Sequence, residues 1–291
     1  MIQDISLSGQ YSIGVFLEGK FLQVGLVKNM EVEVFYQKEI NNRESEEVII
    51  KEMLDAIDHV YSPEVKGIGI GVPSMVDVAH GIVYNVEHIP SWREVHLGDL
   101  LTERYHVPVY VNNDANCFAV GEKYFGKAKK YANMVGVIVG EGLGCGVIAN
   151  NRLYSGNNCG AGELGYIPYR DHNYEYYCTS SYFDLKYGLK PEILFTRARK
   201  NDKIALAILE QFGNDFGNAI KTIMYAYDPE CIVIGGSMAR FFPFFSEQMW
   251  RIIRTFHYEK SMEKLKIEVS DQENISVLGA AALYYDAMTI A

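Results

Sequence analysis

The feature that most limits the possible folds is an order of strands and helices that occurs twice along the chain. The first copy has three closely joined strand-like segments, an amphipathic helix at 45–60, an apolar strand, a short helix and a last strand. The second copy repeats this order around a long amphipathic helix at 203–227. The clearest segments are "YSIGVFL", "KFLQVGLVK", "EVEVFYQKEI", "VKGIGIGVP", "LGDLLTERY" and "VPVYVNN", then "NMVGVIVG", "CGVIANN", "RLYSG", "CIVIGG", "FFSEQMWRIIRTF" and "LKIEVS". Such a duplication predicts two similar α/β domains that face each other across a central cleft.

The length of the chain agrees with this organisation, because 291 residues are enough for two domains of ordinary size. We place an N-terminal α/β domain at 1–114 and expect the C-terminal helix, at 276–291, to complete it. The C-terminal α/β domain then occupies 115–275. A linker rich in proline, serine or glycine is not present between them.

Composition restricts the classes of function. The net charge of −10 and the isoelectric point near 5.2 argue against broad binding to nucleic acid or anionic membranes. The first ten residues lack the features of a secretory signal, and no apolar run approaches the ~20 residues of a membrane helix. The five scattered cysteines predict reduced thiols rather than a disulfide framework. We therefore expect a cytoplasmic protein that binds neither nucleic acid nor membrane.

The segment "VYVNNDANCFAVGE" carries the most chemical information. Asn112, Asn113 and Asp114 lie where a buried strand is predicted to end and a helix to begin. One interpretation is structural, with Asn113 or Asp114 capping the helix. The other is functional, because strand ends are where α/β proteins place ligands. A carboxylate there can accept a proton from a sugar hydroxyl while the two amides bind neighbouring hydroxyls.

Four segments in this order resemble the ROK family of sugar kinases and sugar-responsive repressors: "NNDANCFAVGEKYFG", "GEGLGCGVIANNRLYSGNNCGAGELG", "DPECIVIGG" and "SVLGAAALYYDA". The similarity extends to "GIGIGVPSMVDVAHGIVYNVEHIPSW", so it covers nearly the whole chain. The resemblance implies an actin-like (ribonuclease H-like) two-domain ATPase fold and a homodimer. The implied ligand is a monosaccharide, either a hexose or an amino sugar.

The resemblance also implies roles for individual residues. Asp114 corresponds to the catalytic base of the family, and the sugar contacts fall on Asn113, Glu163 and Asp184. Two further positions each have a structural alternative to a sugar contact. Tyr166 either offers its hydroxyl to the sugar or is a core or interface tyrosine, and His88 either binds a sugar hydroxyl or lies on a surface loop.

The glycines of "GEGLGCG" (Gly140, Gly142 and Gly144), together with Gly235 and Gly236, are the candidate nucleotide-binding residues. Closely spaced glycines let backbone N–H groups approach a phosphate. The same glycines are also explained by tight packing at hairpins and at a strand-to-helix turn. The pattern alone does not separate these two interpretations.

Four substitutions argue against an intact phosphate site. Where the resemblance implies an aspartate, a glycine and a threonine after the first strand, this chain has Phe16, Glu18 and Lys20. Glu141 replaces a threonine in the glycine-rich loop, and a carboxylate beside a triphosphate costs several kcal/mol when poorly solvated. Lys20 either neutralises Glu141, reaches a phosphate or is a solvated turn residue. We predict a degenerate phosphate site that holds Mg-ATP only if kinase activity persists.

Many family members also hold a structural zinc ion, but the corresponding segment here is "GELGYIPYRDHNYEYYCTSSYFD". Tyr166 stands at the histidine position, and Cys178 is the one thiol of the segment. His172 is nearby, but one cysteine and one histidine do not make a four-ligand site. We predict no zinc and no other bound metal.

These observations lead to two hypotheses. The first is a carbohydrate-binding relative of hexose kinases that keeps its sugar pocket and has a degenerate nucleotide site. The alternative is an active ATP-dependent sugar kinase, glucokinase-like, that uses Asp114 as its base. A DNA-binding repressor is the weakest choice, because the chain is acidic and its first strand begins near Tyr11, before which reading helices do not fit.

Overall fold

The computed structural model describes residues 9–288, so residues 1–8 and the last three residues of the helix predicted at 276–291 lie outside the described part. The described residues form two compact units. The first unit comprises residues 9–130, 146–161 and 271–288, and the second comprises residues 131–145 and 162–270.

The first half of the chain contains a five-stranded sheet and a small three-stranded sheet. Its strands are β1 (Tyr11–Glu18), β2 (Phe21–Lys28), β3 (Glu31–Glu39), β4 (Val65–Val72), β5 (Met75–Asp77), β6 (Ile82–Tyr84), β7 (Glu94–Val95) and β8 (Val109–Asn113), and its helices are α1 (Glu46–Asp58), α2 (Leu97–Tyr105) and α3 (Asp114–Tyr124). The larger sheet has the order β3-β2-β1-β4-β8. Strands β1 to β3 pair antiparallel, and β1, β4 and β8 pair parallel.

The second half contains a sheet of the same order. Its strands are β9 (Met134–Val139), β10 (Leu143–Ala149), β11 (Arg152–Leu153), β12 (Pro168–Tyr169), β13 (His172–Asn173), β14 (Cys231–Gly235) and β15 (Lys266–Val269). Its helices are α4 (Tyr174–Tyr177), α5 (Ser180–Tyr187), α6 (Pro191–Arg199), α7 (Lys203–Tyr227), α8 (Phe242–Ile253), α9 (Glu259–Lys264) and α10 (Ile275–Met288). The sheet order is β11-β10-β9-β14-β15, with β14 parallel to both β9 and β15. In each sheet the order is third, second, first, fourth and fifth strand of its copy, which confirms the predicted duplication.

Helix α10 packs unusually close to its neighbours in the first unit, because glycines meet its backbone. A Cβ atom at Gly14 of β1 would lie 2.0 Å from the carbonyl oxygen of Val277. A Cβ atom at Gly69 of β4 would lie 1.8 Å from the carbonyl oxygen of Ala280. Gly14 and Gly69 therefore let the backbone of α10 pack directly against β1 and β4.

The sequence predicted the long elements well and missed the short ones. Helices α1 and α7 lie at the predicted positions, and α2 matches the predicted segment "LGDLLTERY". Between the predicted segments "VKGIGIGVP" and "LGDLLTERY", where the sequence predicts no element, the structure contains β5 and β6 of the small sheet. These strands have three residues each, which is too short for an alternating pattern to be visible. Within residues 9–288, no helix combines the length and apolarity needed to cross a bilayer.

Candidate functional site

The turn from β8 into α3 is built by Asn113. Its backbone is extended, with φ −67° and ψ 150°, and its Oδ1 accepts a hydrogen bond of 2.9 Å from the backbone N–H of Ala115. Its Nδ2 donates to the carbonyl oxygen of Ser74 at 3.3 Å. The structural interpretation of the segment is thus confirmed for Asn113, which caps α3 and ties it to the loop after β4.

Asn112 is 4% exposed and joins several segments of the first unit. Its Oδ1 accepts hydrogen bonds from the Asn113 backbone N–H at 2.9 Å, from Asn116 Nδ2 at 2.8 Å and from Cys159 Sγ at 3.2 Å. Its Nδ2 donates to Ser155 Oγ at 3.4 Å. The Asn112 amide is therefore engaged by protein groups, and it fixes the strand end on which the next two residues are presented.

Asp114 is the first residue of α3 and is partly buried. Its Oδ1 accepts a hydrogen bond of 2.8 Å from the Ala115 N–H, and the helix N-terminus favours its negative charge. The neighbouring Cys117 thiol has a pKa raised well above its ordinary value, first by burial and then by the charge of Asp114 and by Cys159. Asp114 thus places an acceptor oxygen at the carboxyl end of β8, beside an inert, protonated thiol.

Phe16 lies on β1, which β4 separates from β8 and from this turn, and its ring is buried. It is 4% exposed. A Cβ atom on Gly71 of β4 would lie 2.8 Å from Phe16 Cδ2 and 2.8 Å from Cys117 Sγ, so the ring fills the space beside Gly71. Because a hydrocarbon ring offers no oxygen ligand, this part of the site does not fit a magnesium ion.

Lys20 and His88 lie on the surface of the first unit. Lys20 follows Gly19 in the two-residue turn between β1 and β2, and its ammonium group forms an ion pair with Glu39. His88 is exposed and has a positive φ of 65°, with its Nε2 3.6 Å from Glu87 Oε1. Lys20 therefore has a charged partner at the end of β3, and His88 lies near the carboxylate of the residue before it.

The glycine-rich loop of the second unit follows β9. The Gly140 N–H donates to the Gly142 carbonyl at 3.0 Å, and the Gly140 carbonyl accepts a 2.8 Å bond from the Ser180 N–H. Gly236 has φ 85°, and a Cβ atom there would lie 2.5 Å from the Val139 carbonyl oxygen. Gly236 is therefore required by the backbone itself. Glu141 is exposed at the tip of the loop.

Glu163 is exposed, but the protein atoms around its carboxyl group desolvate it. This desolvation raises its pKa, and the negative charge of Glu175 adds to the effect. The Glu175 carboxylate in turn accepts a 3.2 Å hydrogen bond from the N–H of Leu143, the first residue of β10. Sequence reasoning missed Glu175, whose spacing from Glu163 follows no recognisable motif.

The second unit has a cavity of about 550 Å³ that Glu175 helps to line. The residues that line it include Glu141, Tyr166, His172, Glu175 and Tyr176.

The predicted residues Gly144 and Gly235 lie in β10 and at the end of β14. Asp184 is exposed on α5, where its carboxylate lies 3.6 Å from Lys190 Nζ. The structure thus brings Glu141 and Tyr166 to one cavity, and Asn112, Asn113 and Asp114 to one strand end.

The segment that the resemblance associates with zinc does not fit a zinc ion. Tyr166 is 66% exposed, and a tyrosine at this position replaces the ring nitrogen of a histidine. Cys178 is fully buried, which raises the pKa of its thiol well above the ordinary value, and the charge of Asp215 adds to this. A thiol that keeps its proton is a poor metal ligand. Among residues 9–288, no cluster of three or more His, Cys, Asp or Glu side chains could hold a metal ion.

The two sheets of equal order, each with its helices, define the class of protein: it has the actin-like ATPase fold. Solved ROK proteins share this fold. The glucokinase of Streptomyces griseus, in complex with glucose and AMPPNP, has a TM-score of 0.78 and 20% identity, covering 94% of this chain and 98% of that one. A ROK family transcriptional regulator, a homologue of the E. coli MLC protein, has a TM-score of 0.85 and 22% identity, covering 97% and 80%.

The sequence profile of the ROK family matches residues 13–287, so the chain belongs to the ROK family. It is 25% identical to the xylose repressor of Caldicellulosiruptor bescii, in an alignment covering 95% of this chain and 78% of the repressor. It is 28% identical to the glucokinase of Thermotoga maritima, with 78% of this chain and 82% of the kinase covered. Its relatives thus include both repressors and kinases.

Proposed function

We propose that this chain is a carbohydrate-binding ROK protein whose sugar-binding residues are retained and whose nucleotide phosphate site is degenerate. The ligand is a monosaccharide, a hexose or an amino sugar. Asn113, Asp114 and Glu163 are its proposed contacts, as the family resemblance implies, with Tyr166, His88 and Asp184 as further candidates. Asn112 supports the strand end that carries the first two. The resemblance also leads us to propose a homodimer.

The observation that carries this proposal is the contrast between Asp114 and Phe16. The turn at Asp114 is held by a capped helix and by the hydrogen bonds of Asn112, which is how a binding group is kept in a fixed position. The buried ring of Phe16 stands where the resemblance implies a carboxylate for magnesium. Lys20, the other candidate for a phosphate contact on this side, is paired with Glu39. These features support sugar binding without efficient nucleotide chemistry.

The alternative function is an active ATP-dependent sugar kinase, in which Asp114 takes a proton from a sugar hydroxyl. It is favoured by the partly exposed position of Asp114 at the start of α3. It requires that Glu141 be tolerated beside a phosphate, which costs several kcal/mol when the carboxylate is poorly solvated.

A panel of hexoses and amino sugars separates the two functions when two quantities are measured, namely ADP release from Mg-ATP and the melting temperature. We expect no turnover, together with a rise in melting temperature for one sugar. At 100 times its Kd a ligand stabilises the native state by about 2.7 kcal/mol. For 291 residues that corresponds to roughly 4–5 °C.

The control for this experiment is Asp114→Asn. Turnover with one sugar that falls by about 10²–10⁴-fold in this variant would establish the kinase instead of the binding protein. If no sugar raises the melting temperature and none is phosphorylated, carbohydrate binding itself is contradicted.

The raised pKa of Glu163 predicts opposite effects of pH on stability and on binding. Between the ordinary glutamate value, about 4.3, and the raised value, the native state holds more protons at this site than the unfolded state. The contribution of Glu163 to stability therefore falls as pH rises through this window. Sugar affinity rises in the same window, because the ionised carboxylate is the better acceptor. Melting curves of wild type and Glu163→Gln, recorded with and without sugar from pH 4 to 7, measure stability and binding together. If the two proteins show the same dependence on pH in both quantities, the role of Glu163 is contradicted.

A further inference from the structure

The segment from Tyr166 to Cys178, here called the tyrosine hairpin, is a compact structure of the second unit. Strands β12 and β13 pair through Pro168–Asn173 and Tyr169–His172, and α4 follows directly. The turn between the strands contains Arg170, whose φ is 53°. A left-handed conformation at an arginine is strained, so other contacts must hold the turn in place.

Those contacts come from one face of α7. Four polar residues of this helix, here called the polar ladder, follow at intervals of four, three and four positions, and so lie along a single face. They are Gln211, Asp215, Asn218 and Thr222. The intervals are visible in the sequence, but the sequence does not show which residues contact this face of α7.

Asp215 is the centre of the ladder, and its side chain is 0% exposed. Its Oδ1 accepts a 3.0 Å hydrogen bond from the Tyr169 hydroxyl and lies 2.6 Å from Arg170 Nη2. Its Oδ2 accepts a 3.0 Å hydrogen bond from Gln211 Nε2. Both oxygens of the buried carboxylate are therefore used, as a buried charge requires. Burial and Asp215 raise the pKa of Tyr169 to about 12, so its hydroxyl keeps the proton that it donates.

The ladder continues on the C-terminal side of Asp215. Asn218 Nδ2 donates to the Tyr169 oxygen at 3.2 Å, and the Tyr174 hydroxyl lies 2.8 Å from Thr222 Oγ1. The rings of Tyr169 and Tyr174 stack with centroids 4.5 Å apart. The Arg170 guanidinium lies 5.1 Å from the Tyr169 ring centroid, within the range of a cation–π contact. Each arm of the hairpin is thus attached to α7.

We propose that this polar ladder fixes the tyrosine hairpin on α7 without a metal ion, and that it positions Glu163, which precedes the hairpin. The segment is the one whose residues do not fit zinc, so its order must come from protein groups. Glu163 is joined to the hairpin by the turn at Leu164–Tyr166, and the Tyr174 N–H donates to the Ile167 carbonyl at 3.2 Å. Asp215 and Arg170 are therefore positioning residues. The part of the proposal that concerns Glu163 rests on the proposed function.

Amide hydrogen exchange of peptides from 163–178 tests the anchor directly. In Asp215→Asn, and in Arg170→Met in case the first variant fails to fold, we expect protection of these amides to fall at least tenfold. Arg170→Lys keeps the charge but not the forked geometry, and should restore part of the protection. The matched control is Glu210→Gln, an exposed glutamate of the same helix, which should leave protection unchanged.

Three further measurements separate this proposal from the proposed function. The purified protein should contain no stoichiometric zinc, and a chelator should leave the exchange of 163–178 unchanged. Sugar affinity should fall at least tenfold in Arg170→Met and recover partly in Arg170→Lys. Unchanged protection in both Asp215→Asn and Arg170→Met, or zinc whose removal exposes the segment, overturns the metal-free anchor. If wild type binds no sugar, the positioning of Glu163 fails with the proposed function, while lost protection in the variants still supports the anchor.

Discussion

Replacing Gly279 by alanine is expected to destabilise the protein by about 3 kcal/mol, the upper end of the usual cost of overpacking, because backbone must move to accept the new methyl group. In an exposed helix interior the same change normally stabilises by up to about 1 kcal/mol. Here a Cβ atom would lie 1.8 Å from the Cys117 carbonyl oxygen and 2.7 Å from the Gly121 backbone nitrogen. Helices α10 and α3 would have to separate, since neither neighbour is a flexible side chain.

Urea denaturation followed by circular dichroism measures this effect. The control is Gly160→Ala, because a Cβ atom there has no neighbour within 4 Å, and stability should change by less than about 0.5 kcal/mol. A variant at position 279 as stable as wild type would mean that α10 does not pack against α3 as closely as the structure indicates.

Replacing Glu163 by glutamine is expected to weaken sugar binding by about 10–100-fold at pH 7.5. Hydrogen bonds to a charged acceptor contribute about 1.5–3 kcal/mol each, and each 1.4 kcal/mol is tenfold in Kd. Glutamine keeps the size of the side chain but loses the charge and one acceptor oxygen. Because it also removes the repulsion from Glu175, the free protein should become slightly more stable.

Isothermal titration with the sugar that raises the melting temperature most gives the affinity. Glu247→Gln serves as control, since this exposed glutamate of α8 lies outside the proposed sugar contacts. If Glu163→Gln binds as tightly as wild type, the carboxylate does not contact the sugar, and Asn113 and Asp114 remain the proposed contacts.

Those features of the site that depend on a short local pattern of residues could be predicted from the sequence. Asn113 was one of two candidates for the cap of α3, and the structure assigns it that role. The glycine-rich loop was placed correctly after β9, and Gly236 proves to be needed by the backbone. These features depend on neighbours within a few residues, so spacing alone exposes them.

Other features could not be predicted because their partners are distant in the chain. The ion pair of Lys20 with Glu39 joins the turn before β2 to the end of β3. The register of the β2–β3 pair decides that these two charges meet. The hydrogen bond between Cys159 and Asn112 spans 47 positions. The sequence did not suggest Glu39 as a partner of Lys20, and the structure pairs the two.

Periodicity and motif order are local properties, so the duplicated α/β plan, the family and the replacements at Phe16 and Glu141 follow from the chain alone. Only in the folded protein is Phe16 buried beside Gly71 and Cys117. Only there does the tyrosine hairpin contact Asp215. These contacts cannot be inferred from spacing, because burial and charge pairing depend on which surfaces meet in the folded protein. A buried carboxylate is stable only where such partners converge.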